Sequence, residues 1–416
     1  MKDLFEKMYI DKGPLGKWAN IAEGYFAFPK LEGEISNRMK FRGKEVITWS
    51  VNDYLGLANH PDVRKTDAEA AKTYGSAYPM GARLMSGQTL LHEKLEKELA
   101  EFTNKEAAYV LNFGYQGILS TIDSLLGKND VVVYDMDAHA CIVDGVRLHL
   151  GKRFTYKHND MSSLEKNLER ATKITLDTGG GILVISEGVF GMRGEQGRLK
   201  EITDLKEKYS FRLLVDDAHG FGTLGSTGAG AGEEQGVQDK IDVYFATFAK
   251  SLASTGAFIS SDKEVIDYLK YNMRSQVFAK SLQMQLVVGL LKRLEILRSV
   301  PELKEKLWKN VNELQTGLKE RGFDIGTTQS CVTPVYLNGT VPEAFALVKD
   351  LRENHLIFCS IVVYPVVPKG LILIRLIPTA SHDSKDIQET LHAFSIIRDR
   401  LDSGLYNKLS KDLYNT

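Results

Sequence analysis

Thr247-Phe248-Ala249-Lys250-Ser251-Leu252-Ala253-Ser254-Thr255-Gly256 follows directly on the hydrophobic run Val243–Thr247. A lysine in a loop of small residues beyond a β-rich run can form an imine with an aldehyde. Upstream, the run Arg212–Val215 leads into Val215-Asp216-Asp217-Ala218-His219-Gly220. An aspartate at the end of a hydrophobic strand can keep a pyridine nitrogen protonated, and an imidazole stands close behind it. Lysine, carboxylate and imidazole are the groups pyridoxal phosphate needs to serve as an electron sink.

Outward from this stretch, short β-rich runs alternate with helical patterns. The runs are Ala107–Leu111, Val131–Tyr134, Ile182–Ser186, Arg212–Val215 and Val243–Thr247. Leu91, Leu95, Leu99 and Phe102 recur at helical spacing, as do Leu307, Val311, Leu314 and Leu318, and both stripes read as core faces. This alternation predicts an α/β fold with a mostly parallel sheet wrapped by helices. After about residue 290 the pattern changes to a long charged helical stretch, then to Cys331–Leu337, Ile357–Val363 and Leu371–Leu376 as strands. The expected organisation is an N-terminal segment over 1–50, a large domain over 51–290 and a smaller C-terminal α+β domain over 291–416.

The chain has 416 residues, 43% of them hydrophobic, and a formal net charge of −1, enough for a large core and two lobes. That balance gives no footprint for nucleic acid. No stretch reaches the roughly 18 uninterrupted apolar residues of a membrane span, and residues 1–10 lack a continuous apolar leader segment, so a cytoplasmic protein is expected. Cys141, Cys331 and Cys359 are widely spaced and form no C-x-x-C pair. They read as buried fillers, with neither a disulfide framework nor a metal site indicated.

Two glycine-containing segments invite a phosphate-binding reading. Gly225–Gly232 carries glycines at dinucleotide-like spacing, but no strand leads directly into it and no P-loop lysine follows, so it reads as a surface loop. Asn112-Phe113-Gly114-Tyr115 lies between a strand ending near Leu111 and a helical pattern starting near Gln116, where backbone N–H groups can bind phosphate. Alone, each residue also has an ordinary reading. A lysine is usually solvated, a histidine after a strand is usually structural, and Asp-Asp-Ala-His can be a turn or helix cap. Their order along one chain is what turns them into a site, and Asp217 is kept as structural.

Further motifs stand in the same order: Asn52-Asp53-Tyr54-Leu55-Gly56-Leu57, Asp137-Ala138-His139-Ala140 with Asp144-Gly145, Glu187-Gly188-Val189-Phe190, and Ile374-Arg375. Together with the Asp216/His219 and Lys250 motifs, they make the chain resemble the α-oxoamine synthases over roughly Gly33 to Leu401. These are pyridoxal-phosphate enzymes of fold type I that condense an amino acid with an acyl-CoA. The lysine segment is most similar to that of bacterial serine palmitoyltransferases. The resemblance implies that Lys250 holds the cofactor as an imine and later carries the Cα proton. It implies that Asp216 pairs with the pyridine nitrogen, His219 bonds the ring oxygen and His139 stacks on the ring. Phe113, Gly114, Tyr115 and Thr247 would hold the phosphate, while Arg375 and Asn52 would bind the amino acid's carboxylate. The planar fork of Arg375 suits a two-oxygen acid group. A homodimer with interface active sites is also implied.

The chain departs from this pattern at several positions. Phe190-Gly191-Met192 stands where close relatives have Phe-Ser-Met, and Thr247-Phe248-Ala249-Lys250 where they have Thr-x-Ser-Lys. Ala279-Lys280 replaces a further hydroxyl residue expected to reach the neighbouring subunit. The segment Gly75–Gly87 carries a bulkier Tyr78-Pro79-Met80 before Gly81-Ala82-Arg83, expected to reshape the substrate entrance. In this segment the chain resembles the cysteate acyltransferase branch. A sulfonate has a permanent charge and three acceptor oxygens, so Arg83 and Lys280 become candidate substrate-binding donors. The expected reaction is decarboxylative condensation of a small amino acid with a long-chain acyl-CoA, cysteate ahead of serine. Glycine C-acetyltransferase and 8-amino-7-oxononanoate synthase-like chemistry follow as alternatives, with a silent partner subunit as the non-enzymatic one. A long-chain product allows peripheral membrane contact.

Overall fold

The computed structural model describes residues 3–412. Contacts divide the chain into two compact units: one spans Leu55–Gly191 and Glu195–Lys304, and the other takes residues up to Tyr54, Met192–Gly194 and Glu305 onward.

The first unit is built on a seven-stranded sheet. Its strands are β1 (Ala107–Leu111), β2 (Val131–Asp135), β3 (Lys152–Tyr156), β4 (Ile182–Glu187), β5 (Arg212–Asp216), β6 (Val243–Thr247) and β7 (Ala257–Ser261). The spatial order is β1-β7-β6-β5-β4-β2-β3. β7 runs antiparallel to both β1 and β6, and every other pair is parallel. β4 to β6 are buried almost throughout, which is why they read as unbroken hydrophobic runs. Helix α1 (Leu90–Phe102) precedes β1, and α2 (Gly114–Leu125), α3 (Ala140–Leu148) and α4 (Met161–Thr178) separate the early strands. Ile118 and Ile122 of α2 and Ile142 and Val146 of α3 join Leu183, Ile185, Leu214 and Phe245 in one core. α2 lies close on the sheet at Gly117, where a Cβ would come within 2.7 Å of Leu111 Cδ1.

The second unit holds two small sheets. Leu31–Glu32, Arg38–Phe41, Lys44–Thr48 and Ile357–Phe358 form one, with Ile357 paired in parallel to Ile47. Thr333–Tyr336, Leu373–Leu376 and Ser360–Val362 form an antiparallel one. The expected strand Ile357–Val363 is thus two strands in different sheets. Between them, Cys359 is buried and its carbonyl accepts from Arg352 Nη2 at 2.8 Å. Leu314 and Leu318, Leu347 and Leu351, and Phe394 and Ile397 bring three helices onto Trp49, Ile374 and Leu376.

The segment Gly225–Gly232 is a loop as far as Gly230, where a short helix (Ala231–Glu234) begins, but it is not a surface loop. Only Ser226 and Thr227 are exposed, and Asp217 draws the rest inward by accepting the Ala231 N–H at 2.8 Å. Gly230 has φ +110°, and a Cβ there would overlap Asp217 Oδ2. Among the described residues, no helix is long and apolar enough to cross a membrane.

Candidate active site

The candidate residues of the first unit gather at the carboxyl ends of the parallel strands, the edge at which open α/β sheets bind ligands. Asp216 ends β5, Thr247 ends β6, Glu187 ends β4, and His139 follows β2. Leu111 and Thr247 both pair with Ala257, so the ends of β1 and β6 lie level across β7. This alignment brings the start of α2 against β6. A Cβ on Gly114 would sit 3.2 Å from Thr247 Oγ1.

Asp216 is buried, and its backbone and thiol contacts are weak ones for a carboxylate. Oδ1 accepts the Ala218 N–H at 3.1 Å, and Oδ2 lies 3.8 Å from Cys141 Sγ. Burial raises its pKa to about 6, opposed by the Ala218 N–H, Lys250 and Cys141. Glu187 is the register partner of Asp216, and burial together with the Asp216 charge pushes it well above the usual carboxylate range. Glu187 Oε1 accepts the backbone N–H of His139 at 2.5 Å and so fixes where α3 begins.

His139 caps α3. Its Nδ1 accepts the Cys141 N–H at 3.3 Å and lies 2.9 Å from Cys141 Sγ. Burial and the Lys250 charge lower its pKa, so the ring is neutral near pH 7, with Nε2 carrying the proton by elimination. Tyr115 approaches the same ring edge-on at 6.3 Å and donates its hydroxyl to Asp144 Oδ2, which pushes the phenol up to about 12.

The lysine loop is closed tightly. Phe248 N–H donates to Gly256 O at 3.0 Å, Ser254 N–H to Phe248 O at 2.9 Å, and Ala253 N–H to Lys250 O at 2.9 Å. Phe248 anchors the loop by stacking on Phe258 at 5.6 Å, and Ser251 Oγ donates to Phe221 O at 2.5 Å. Thr247 Oγ1 donates to Gly256 O at 3.0 Å and accepts the Ala249 N–H at 3.2 Å, so this hydroxyl already braces the loop. His219 is buried in the turn after Asp216, with its carbonyl accepting from Thr223 Oγ1 at 2.8 Å.

Other candidates lie elsewhere. Arg83 is buried, forked onto Glu96 at 2.9 and 3.0 Å, bonded to Gln88 Oε1 and packed over the Tyr109 ring at 4.8 Å. Three of its five N–H donors are thus engaged within the fold, by Gln88 and Glu96. Lys280 is exposed, and its carbonyl accepts from Asn112 Nδ2 at 2.6 Å, beside the Phe113–Tyr115 segment. Arg375 and Asn52 belong to the second unit. Arg375 Nη1 lies 3.7 Å from Met192 Sδ, and burial lowers its pKa against the pull of Tyr54 and Cys331. Asn52 Oδ1 is buried without a hydrogen-bond partner.

These residues fit pyridoxal phosphate. Asp216 is a buried carboxylate of raised pKa that a pyridinium N–H would satisfy. The N-cap of α2, Phe113, makes no side-chain cap, so the first-turn N–H groups stay uncapped by it and suit a phosphate. The sequence assigns no site role to Glu187 or His158 and reads Cys141 only as a buried filler. Cys141 was legible, because an N-cap accepts from the residue two positions on. His158 was not: it bridges Asp135 Oδ1 at 3.0 Å and Glu195 Oε2 at 2.8 Å, partners distant in sequence. Burial opposes its charge, yet those two bonds raise its pKa to about 9.

The aminotransferase class I and II family matches residues 44–394. The chain belongs to that family and, within it, to the pyridoxal-phosphate-dependent α-oxoamine synthases. It is similar to a cysteate-C-fatty acyltransferase of Capnocytophaga ochracea, 68% identical over 413 residues, covering 99% of this chain and 98% of that protein. A serine palmitoyltransferase of Sphingobacterium spiritivorum is 36% identical over 367 residues, covering 88% and 90%. The solved serine palmitoyltransferase of S. paucimobilis with a bound PLP–myriocin aldimine superposes with a TM-score of 0.89 at 29% identity, covering 97% of this chain and 100% of that one. The protein is thus a pyridoxal-phosphate-dependent acyltransferase of fold type I.

Proposed function

We propose that this enzyme condenses L-cysteate with a long-chain acyl-CoA, with loss of carbon dioxide and coenzyme A, to give a sulfonated 3-keto long-chain base. The observation that carries this reading is the 68% identity to a cysteate-C-fatty acyltransferase over nearly both whole chains, against 36% to a serine palmitoyltransferase. Serine is the second reading, supported by that more distant relationship.

Bound pyridoxal phosphate supplies an electron sink for negative charge at the amino acid's Cα and again as carbon dioxide leaves. Lys250 holds the cofactor's aldehyde carbon and moves the proton at Cα. Asp216 keeps the ring nitrogen protonated, and its burial among few competing donors supports this task. The neutral His139 would stack on the bound ring, with Glu187 and Cys141 fixing its backbone and its Nδ1. The uncapped N–H groups of Gly114 and Tyr115 would hold the phosphate, with Thr247 beside them on the strand side. Arg375, with Asn52, takes the amino acid's carboxylate.

A homodimer is part of the proposal. Ser281 ties the 278–284 segment to Gly81 and Gly87, and Met284 N–H donates to Tyr78 O, so neighbouring segments bear the exposed Met80, Met85 and Phe278. Such an apolar patch suits a second copy. Three free buried cysteines suit a reducing, cytoplasmic setting. The test is product analysis by mass spectrometry after incubating the loaded enzyme with palmitoyl-CoA and each amino acid. A sulfonated ketone from cysteate supports the reading, and a product from serine alone overturns it.

A further inference from the structure

Gly191 is required by space and not by backbone conformation. Its φ lies outside the left-handed region. A Cβ there would fall 2.2 Å from Nε2, 2.6 Å from Cδ2 and 2.9 Å from Cε1 of His219, overlapping one whole edge of the imidazole.

Neither backbone is placed to retreat. On one side, Phe190 N–H donates to Glu195 O at 2.9 Å and Gly197 N–H to Gly188 O at 3.1 Å, closing the two arms of a hairpin on each other. The returning arm is held through Glu195 by His158, whose ring in turn packs edge-on against Phe190 at 4.4 Å. On the other side, Phe221 N–H donates to Asp217 O at 3.0 Å and Thr223 Oγ1 to His219 O at 2.8 Å. Gly188 and Gly220 both press on the Asp217 carboxylate, where a Cβ on either would meet Oδ1 at 1.9 and 2.1 Å. The part able to yield to a side chain at 191 is therefore the imidazole, by rotating away.

We infer that Gly191 is a positioning residue: the missing side chain at 191 sets the direction in which His219 presents its imidazole to bound pyridoxal phosphate. This rests on the reading of His219 as a cofactor contact. At this placement of the His219 ring, any side chain at 191 would overlap it, the serine of Phe-Ser-Met included.

The test compares Gly191→Ala, His219→Ala and the double variant, each loaded with pyridoxal phosphate. Cofactor release on dilution and the pH dependence of the bound cofactor's absorption are followed. Gly191→Ala is expected to weaken retention about 10-fold, the scale of one lost hydrogen bond to a charged group, and to shift the pH dependence as His219→Ala does. The double variant should be no weaker than His219→Ala, because the two changes remove one contact. It should also melt like His219→Ala even where Gly191→Ala folds poorly, since the ring that clashes is gone. Wild-type retention and spectrum in Gly191→Ala overturn the inference, as does a double variant whose loss is the product of the two single losses or which fails to fold. If His219→Ala retains cofactor like the wild type, the reading of His219 falls and the inference with it.

Discussion

Asp216 and Asp217 are adjacent and both buried, yet their surroundings give them different work. Asp216 faces few donors, whereas Asp217 Oδ2 accepts from Ala231 N–H at 2.8 Å and Tyr244 Oη at 3.0 Å and so ties the glycine loop to β6. Burial raises the Asp217 pKa to about 7 from an ordinary 3.8, against the pull of those donors. An acid that holds its proton more tightly when folded favours the folded state while protonated. Its contribution is present below about pH 4 and is lost as pH rises through about 7. Asp217→Asn has no proton to lose, so its melting temperature should gain on the parent's between about pH 5 and pH 8. Parallel melting curves across that range would contradict the assignment. At this scale the candidates Lys250, Asp216, His219 and His139 stand out in the sequence through their order along the chain, and the structure sets them at or just beyond strand ends. The sequence could not reveal His158, whose two carboxylate partners are brought to it only by the sheet.

Elements were legible where their burial is uniform. The five hydrophobic runs correspond to β1, β2, β4, β5 and β6 within a residue at their ends. β3 escaped notice because Lys-Arg-Phe-Thr-Tyr is an edge strand whose residues are mostly exposed or half-buried. β7 escaped because Ser260 and Ser261 dilute its apolar run. Both are buried, and their hydroxyls are satisfied by Thr103 and by the Asp242 carbonyl. α2 begins at Gly114, two residues before the expected start, because glycine is a poor helix former that still fits the close approach to Thr247. Glu96 of α1 links three pieces of this architecture. It receives Arg83 from the 83–87 turn, and its Oε1 accepts the Val110 N–H of β1 at 2.8 Å. Glu96→Ala leaves a buried guanidinium and a strand N–H without their acceptor, and should cost about 3–5 kcal/mol in urea unfolding. A loss below about 1 kcal/mol, the range of a surface ion pair, would show the pair to be dispensable.

Across the whole molecule, one unit mixes residues from both ends of the chain. Ile47 pairs with Ile357 and Phe41 packs on Phe358 in a sheet that no local pattern announces. The larger unit carries the residues proposed to hold pyridoxal phosphate, and its sheet follows from alternating strands and helices. The most direct test is a spectral titration of the purified, cofactor-loaded protein with L-cysteate, L-serine, glycine and L-alanine. The account predicts a saturable change in the cofactor's absorption with L-cysteate at concentrations where L-serine gives little. A saturable response to L-serine and none to L-cysteate would contradict it.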